Sequence, residues 1–343
     1  MSSDLLGRAA GCLAGVAVGD AMGMPLEFLT RDEIRSRFGK VDRFLEPAPG
    51  HIHAGTPRGR VTDDTEQTWA LAAALLTSGR ITPRVAADAY LAWADRADAF
   101  RSSFLGPSSR GALERLRAGD DPACTGERGA TVGAAMRVAP IGIVNAGDTG
   151  AAVEEARLSA LPTHGVNIAI AGACAVAAGV ARAVAGGTLE DVVEAAVWGA
   201  ERGQSSGIQW AGATVPARLG LALDIVRRHR GDPQKAEDVL YETVGVGMYP
   251  TELVATALGL VVLYDGKPGL AIPAAAGMGG DCDTLAAIVG ALSGAVSGVS
   301  AMPAEWVATV ESTNGLECET LAAQLIATRA DRLKAAGFRG DGS

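Results

Sequence analysis

Small and apolar residues along this chain fall mostly at helical spacing. "LLGRAAGCLAGVAVGDAMG" carries Gly7, Gly11, Gly15 and Gly19 at four-residue intervals, and the same spacing returns at Gly290, Gly294 and Gly298. Glycine at every fourth position flattens one helix face, so both stretches are predicted to be tightly packed core helices that admit another backbone closely. "TEQTWALAAALLTSG" is predicted helical up to Gly79. "ITPRVAADAYLAWADRA" starts afresh, with Thr82 as N-cap before Pro83 at the first helical position. Further helices are predicted over 108–118, 148–160, 165–186, 188–202, 212–230, 234–243, 251–264, 304–311 and 317–336. Period-two alternation is nearly absent, so strands are not expected beyond a small hairpin in the Pro- and Gly-rich segment 40–60. No linker, charge block or repeat divides the chain. We read one large all-α domain over 1–336, followed by a polar C-terminal tail over 337–343.

Composition narrows the class. Of 343 residues, 48% are hydrophobic but only 4% aromatic, which suits closely packed small-faced helices and not a disordered chain. A net charge of −9 argues against a nucleic-acid surface, which would be basic. The cysteines (12, 124, 174, 282 and 318) are scattered, odd in number and form no CxxC, so reduced thiols in a cytoplasmic protein are expected. Residues 9–18 are apolar but glycine-broken and flanked by Asp4 and Asp20, unlike a signal peptide. The uncharged stretch 285–304 is long enough for a membrane span, yet it is rich in Ser and Gly, so a buried core helix is expected.

Two acidic knots carry the chemistry. "GGDCDT" sets Asp281, Asp283 and Thr284 at the mouth of an apolar helix, and "RVTDDTEQTWALA" sets Thr62, Asp63, Asp64 and Thr65 at the mouth of another. Helix capping needs one carboxylate or hydroxyl at such a place. A second carboxylate repels the first, and each is costly to bury. Two such knots beside apolar helices are hard to keep charged without a cation. Oxygen-only ligands favour a hard ion, Mg²⁺ or Mn²⁺, over zinc, and this many carboxylates suit a two-metal site.

At these residues the chain resembles the ADP-ribosylglycohydrolase family. "GCLAGVAVGDAMGMPLEF", "VTDDTEQTWALA", "GAAMRVAPIG" and "GGDCDTLAAIVGALSGA" occur in the family's order and span about residues 5–300. The resemblance implies an all-α domain with a binuclear metal cleft, holding two Mg²⁺ with Mn²⁺ as the alternative. Its metal ligands would be Thr62, Asp63, Asp64, Asp281, Asp283 and Thr284. Glu27 would be the catalytic residue, activating water or holding the substrate ribose; without the resemblance it reads as a solvated helix-end acid. The implied reaction is hydrolysis of a glycosidic bond at ribose C1″. The expected partner is an ADP-ribosylated protein or an ADP-ribose-like small molecule, with no nucleic acid, no membrane and a monomeric chain.

Substrate contacts are expected from "RGATVGAAMRVAPIG", where Gly129, Gly133 and Met136 lie in a glycine-rich turn whose N–H groups suit a diphosphate. A plain helix-linking turn explains the same residues. His164 in "LPTHG" matches a Thr-His pair of the family, against the alternative of a structural helix-start histidine. Tyr249 is a candidate partner for adenine. Val132 stands where relatives often carry Asn, Cys282 where they commonly carry Thr, and "DAFRSSFLGPSSRGAL" lacks an acid some relatives have. The missing acid leaves the aglycone side open, so a metal-dependent N-ribosidase of a small nucleoside-like metabolite is the second reading. A non-catalytic, crystallin-like member of the fold is the third. "HIH" (51–53) could ligate a metal, but in this Pro- and Gly-rich loop a surface position is expected. "GQSSG" (203–207) fits a nucleophile elbow only in spacing, since a helix precedes it.

Overall fold

The computed structural model describes residues 3–101 and 105–340. From the N-terminus come α1 (Ser3–Gly23), α2 (Arg31–Phe38), α3 (Asp63–Ser78), α4 (Pro83–Arg96), α5 (Pro107–Arg117), α6 (Gly133–Met136), α7 (Ala139–Val144) and α8 (Thr149–Ala160). There follow α9 (Asn167–Val184), α10 (Leu189–Gln204), α11 (Val215–Arg228), α12 (Pro233–Thr243), α13 (Pro250–Leu263), α14 (Pro268–Ala276), α15 (Cys282–Ser297), α16 (Ala304–Asn314) and α17 (Cys318–Gly340). Among the described residues the only β pairing is an isolated bridge between Val166 and Ile208. The segment 40–60 is turns and coil, with no hairpin. Helix α17 continues to Gly340, past the Gly337 where the sequence suggests a tail.

Local chemistry sets the helix ends. Thr82 accepts from the N–H of Val85 with Pro83 following, and α3 stops where Gly79 adopts a left-handed conformation (φ 72°). Helix α2 was missed because its composition is polar; a capping box between Thr30 and Glu33 starts it. Helix α14 was missed because "KPGLAIPAAAG" reads as a turn. It opens on Pro268 and carries Pro273 in its interior, where proline removes one backbone donor.

At the centre, α1 and α15 run antiparallel in backbone contact. A Cβ added at Gly11 would lie 2.4 Å from the Gly294 carbonyl oxygen, one at Gly15 2.0 Å from that of Gly290, and one at Gly19 2.0 Å from that of Ala286. The two glycine stripes therefore face each other. Helix α9 packs beside them with every residue except Arg182 buried. The apolar stretches of α1 and α9, long enough to cross a bilayer, are 100% and 94% buried inside the molecule. Their apolarity is spent on this core.

Antiparallel packing has one consequence for function. It brings the end of α1 to the start of α15, where a Cβ at Gly23 would meet the Cys282 carbonyl oxygen at 2.4 Å. The chain then runs through a short 3₁₀ turn, Met24–Leu26, to Glu27. Glu27 and the second acidic knot are neighbours for that reason.

Candidate active site

The loop after α1 is stitched to the Gly-Gly pair before α15. The N–H of Phe28 donates to the Gly280 carbonyl (2.7 Å), and the N–H of Gly280 donates back to that of Leu29 (2.9 Å). Gly279 and Gly280 have φ of 75° and 65°, a region that glycine enters freely. A Cβ on either would lie 2.4 Å from a backbone oxygen, of Leu29 or of Val246. The glycine pair thus lets three chain segments converge, and Asp281 follows at once.

The first knot is anchored by a residue that the sequence reading passed over. Asp20, on α1 and fully buried, accepts from the N–H of Thr62 (3.0 Å) and its hydroxyl (2.9 Å), and from the N–H (3.1 Å) and hydroxyl (2.5 Å) of Thr65. Burial pushes the Asp20 carboxyl up to about 6 against the pull of those donors. The "VGDAMG" motif held the signal: an aspartate closing the uncharged run 9–19 of its helix.

One cleft of about 280 Å³ is lined by Glu27, Asp63, Asp64, Asp281, Asp283 and Thr284 from both knots. His53, Met248, Leu105 and Ser109 line it too, as do Thr131, Val132, Gly133, Met136 and His164. Burial, then the charges of Asp281, Asp63 and Asp20, hold the Glu27 carboxyl well above its ordinary range. Burial and mutual repulsion do the same for Asp63, Asp64 and Asp283, and burial raises Asp281. No hydrogen-bond donor reaches Oδ1 of Asp64 or Oδ1 of Asp283, although both atoms are buried. Buried carboxylate oxygens are rarely left so. Thr284 donates to Oδ2 of Asp64 (3.4 Å) and joins the two knots.

Of the predicted ligands, Thr62 is the one outside the lining: its hydroxyl donates to Asp20 and accepts from the N–H of Asp64 (3.4 Å). Cys282 points away, its thiol 3.5 Å from the Gly23 carbonyl. Gly133 lies 2.9 Å, through its built Cβ, from the His164 ring, so only glycine leaves room for the imidazole there. Gly129 sits behind the wall, against the backbone of Thr163 and His164. Tyr249 is half-exposed, meets Trp210 with the rings tilted by 40° (centroids 5.2 Å apart) and is not part of the lining, though Met248 beside it is. The acid-lacking segment "DAFRSSFLGPSSRGAL" includes 102–104, outside the described residues.

A relay fixes the far wall. The buried Arg137 guanidinium lies 3.7 Å from the Tyr90 ring centroid, donates to Gln67 Oε1 and donates to the Thr163 hydroxyl (2.5 Å). Gln67 in turn donates to Asp63 Oδ2 (2.7 Å). With its oxygen accepting from Arg137, the Thr163 hydroxyl donates to Nδ1 of His164 (2.8 Å). Nε2–H of His164 then donates to the Thr131 hydroxyl (3.1 Å). Burial, then the charge of Arg137, keep His164 well below its usual range and neutral.

"HIH" corrects a sequence expectation. His53 is buried, not at the surface, and its Nε2 lies 2.6 Å from Oε2 of Glu27, sharing one proton with it. Nε2–H of His51 donates to the Glu27 backbone carbonyl (2.8 Å), and its Nδ1 accepts from the N–H of His53 (3.2 Å). Consecutive turns at Ala48–His51, His51–Ala54 and His53–Thr56 curl the loop inward. That path was illegible because a turn-rich segment has no period to read. Burial, then the neighbouring His51, lower His53 to about 4.

Comparison with known proteins agrees with this architecture. The chain is 37% identical over 329 residues to the uncharacterized protein YegU of Escherichia coli, covering 95% of this chain and 98% of the relative. It is 26% identical to the ADP-ribosyl-[dinitrogen reductase] glycohydrolase of Rhodospirillum rubrum, over 89% of this chain and 90% of the relative. It is 27% identical to the ADP-ribosylarginine hydrolase Tri1 of Pseudomonas putida, over 89% and 74%. A solved ADP-ribosylglycohydrolase-related protein complex superposes with a TM-score of 0.70 at 27% identity, covering 95% of this chain and 99% of that one. The ADP-ribosylglycohydrolase family model matches residues 1–335. With the acidic knots, Glu27 and the helical frame in place along that whole span, this chain belongs to the ADP-ribosylglycohydrolase family.

Proposed function

We propose that this chain is a divalent-cation-dependent hydrolase that cleaves the glycosidic bond at ribose C1″ of an ADP-ribosyl group. One observation carries the reading: five carboxylates from three distant segments line a single cleft, with buried oxygens on Asp64 and Asp283 that no donor reaches. Relatives named for hydrolysing ADP-ribosylarginine and ADP-ribosyl-dinitrogen reductase support the substrate class.

Asp63, Asp64, Asp281, Asp283 and Thr284 would hold two Mg²⁺ or Mn²⁺ ions, with Thr62 setting the start of α3. Their oxygens suit hard cations. Bound there, the ions supply positive charge that polarises ribose hydroxyls and water. Glu27 takes the proton from the water that adds to C1″, and the aglycone leaves with the bonding electron pair. Desolvation raises its basicity towards the working range. His164, held neutral with both ring nitrogens engaged by Thr163 and Thr131, gives the opposite wall a fixed face for the sugar to pack against. The N–H groups near Gly133 face the diphosphate, and Tyr249 with Trp210 offers a stacking surface for adenine beside the cleft.

The deciding experiment incubates the protein with ADP-ribosyl-arginine, ADP-ribosyl-serine, oligo-ADP-ribose and common nucleosides, in Mg²⁺, in Mn²⁺ and in chelator. ADP-ribose release that needs the cation is expected. Release from nucleosides alone would move the assignment to a small-metabolite ribosidase. No release from any of them would leave a non-catalytic member of the fold.

A further inference from the structure

Resting on the reading of this cleft as a divalent-cation site, we infer that His53 is a nitrogen ligand of it, adding to the oxygen set an imidazole that a first-row transition ion such as Mn²⁺ can use and Mg²⁺ hardly does. Glu27, His53 and Asp283 each offer one ligand atom, and the three atoms lie within 4.8 Å of one another. Asp283 is 4% exposed and its Oδ1 has no donor. His53 is equally buried and reaches the same cleft wall. Two carboxylates and an imidazole at that separation form a three-pronged mixed-donor set.

The loop geometry supports a built position for the ring. His51 ties the loop to the Glu27 backbone (2.8 Å) while His53 meets the Glu27 side chain (2.6 Å), so ring and carboxylate are held as a unit. When a cation enters between Glu27 and Asp283, the proton shared by Glu27 and His53 leaves to solvent. Nε2 then presents its lone pair while Nδ1 carries the ring hydrogen. Imidazole binds first-row transition ions, weakest at Mn²⁺ and rising towards Cu²⁺, whereas Mg²⁺ keeps to carboxylate and water. A site made of oxygen alone would not draw that distinction.

Crystals of the full chain grown with Mn²⁺ should show an anomalous peak within direct bonding distance of Nε2 of His53. In calorimetric titrations, His53→Ala should weaken Mn²⁺ binding roughly tenfold or more and Mg²⁺ binding far less. His53→Asn, which keeps a polar side chain in the loop, should match His53→Ala in this selectivity. Mn²⁺ held by the carboxylates with Nε2 still on Glu27, or equal losses for both ions, would overturn the inference and leave the cation site standing. No binding of either ion by the unaltered protein would overturn both. If neither variant folds, the anomalous map of the unaltered protein decides.

Discussion

Asp20 is enclosed by donors from Thr62 and Thr65, whereas Asp64 and Asp283 each keep a buried oxygen without one. The first is a staple for the start of α3; the others, on the proposed function, face the cation. Asp20→Asn should therefore lower the melting temperature of the metal-free protein, by about 3 kcal/mol of stability, because its amide would turn hydrogens towards groups that already donate. Asp64→Ala or Asp281→Ala should act differently. Each relieves repulsion, so the metal-free protein keeps or gains stability, while the shift in melting temperature on adding Mg²⁺ or Mn²⁺ disappears. A variant that kept the full shift would remove that aspartate from the cation site. Glu27→Gln keeps the shape, leaves the four aspartates to hold the cation more weakly, and should lose turnover by about 10³-fold, the middle of the range for general-base removal. An active Glu27→Gln enzyme would assign the base elsewhere.

Between elements, the site depends on the register of α1 against α15. Gly15→Ala places a methyl 2.0 Å from the Gly290 carbonyl oxygen, a backbone atom that cannot rotate away. It should cost about 3 kcal/mol or more by overpacking. It should also weaken cation binding, because pushing the helices apart separates Glu27 from Asp281 and Asp283. Gly7→Ala is the control on the same stripe: nothing lies within 4 Å of its built Cβ. It should be neutral or stabilise by about 0.5–1 kcal/mol, as alanine usually does in a helix. Thermal melts of the two variants check both outcomes. This packing was legible in part, since glycine at four-residue spacing reports close backbone approach. That the two stripes meet each other was not, because spacing names a face and not its partner. The acidic knots were legible for a related reason: a second carboxylate at an apolar helix mouth is costly and so informative. His53 and Arg137 were not, since a turn-rich loop has no period and one arginine in a short helical segment looks like surface.

Across the whole molecule, acidity is concentrated where it is most expensive, and that sets how stability depends on pH. In the metal-free protein, burial lifts Asp20 from an ordinary value of 3.8 to about 6 and raises Glu27, Asp63, Asp64 and Asp283 well above theirs. A carboxyl whose folded value is raised stays protonated in the folded state after the unfolded chain has released its proton. The folded state then binds more protons, so its stability is greatest at the acid end and falls as pH rises through the raised values. Surface carboxylates held below their usual range by arginine or by helix caps, such as Asp191 and Asp238, act oppositely, but only in more acidic solution. From about pH 5 to pH 8 the metal-free melting temperature should therefore decrease, steepest near pH 6 where Asp20 ionises. On the proposed function, divalent cations would compete with protons for the same oxygens, so binding would release protons. With saturating Mg²⁺ or Mn²⁺ the melting temperature should be nearly level over that range, and the cation-induced shift should grow with pH. Melts at several pH values, with cation and with chelator, test this directly. A shift of the same size at pH 5 and pH 8 would mean that the cleft carboxylates are already ionised without metal, held by charge compensation other than the bound ion.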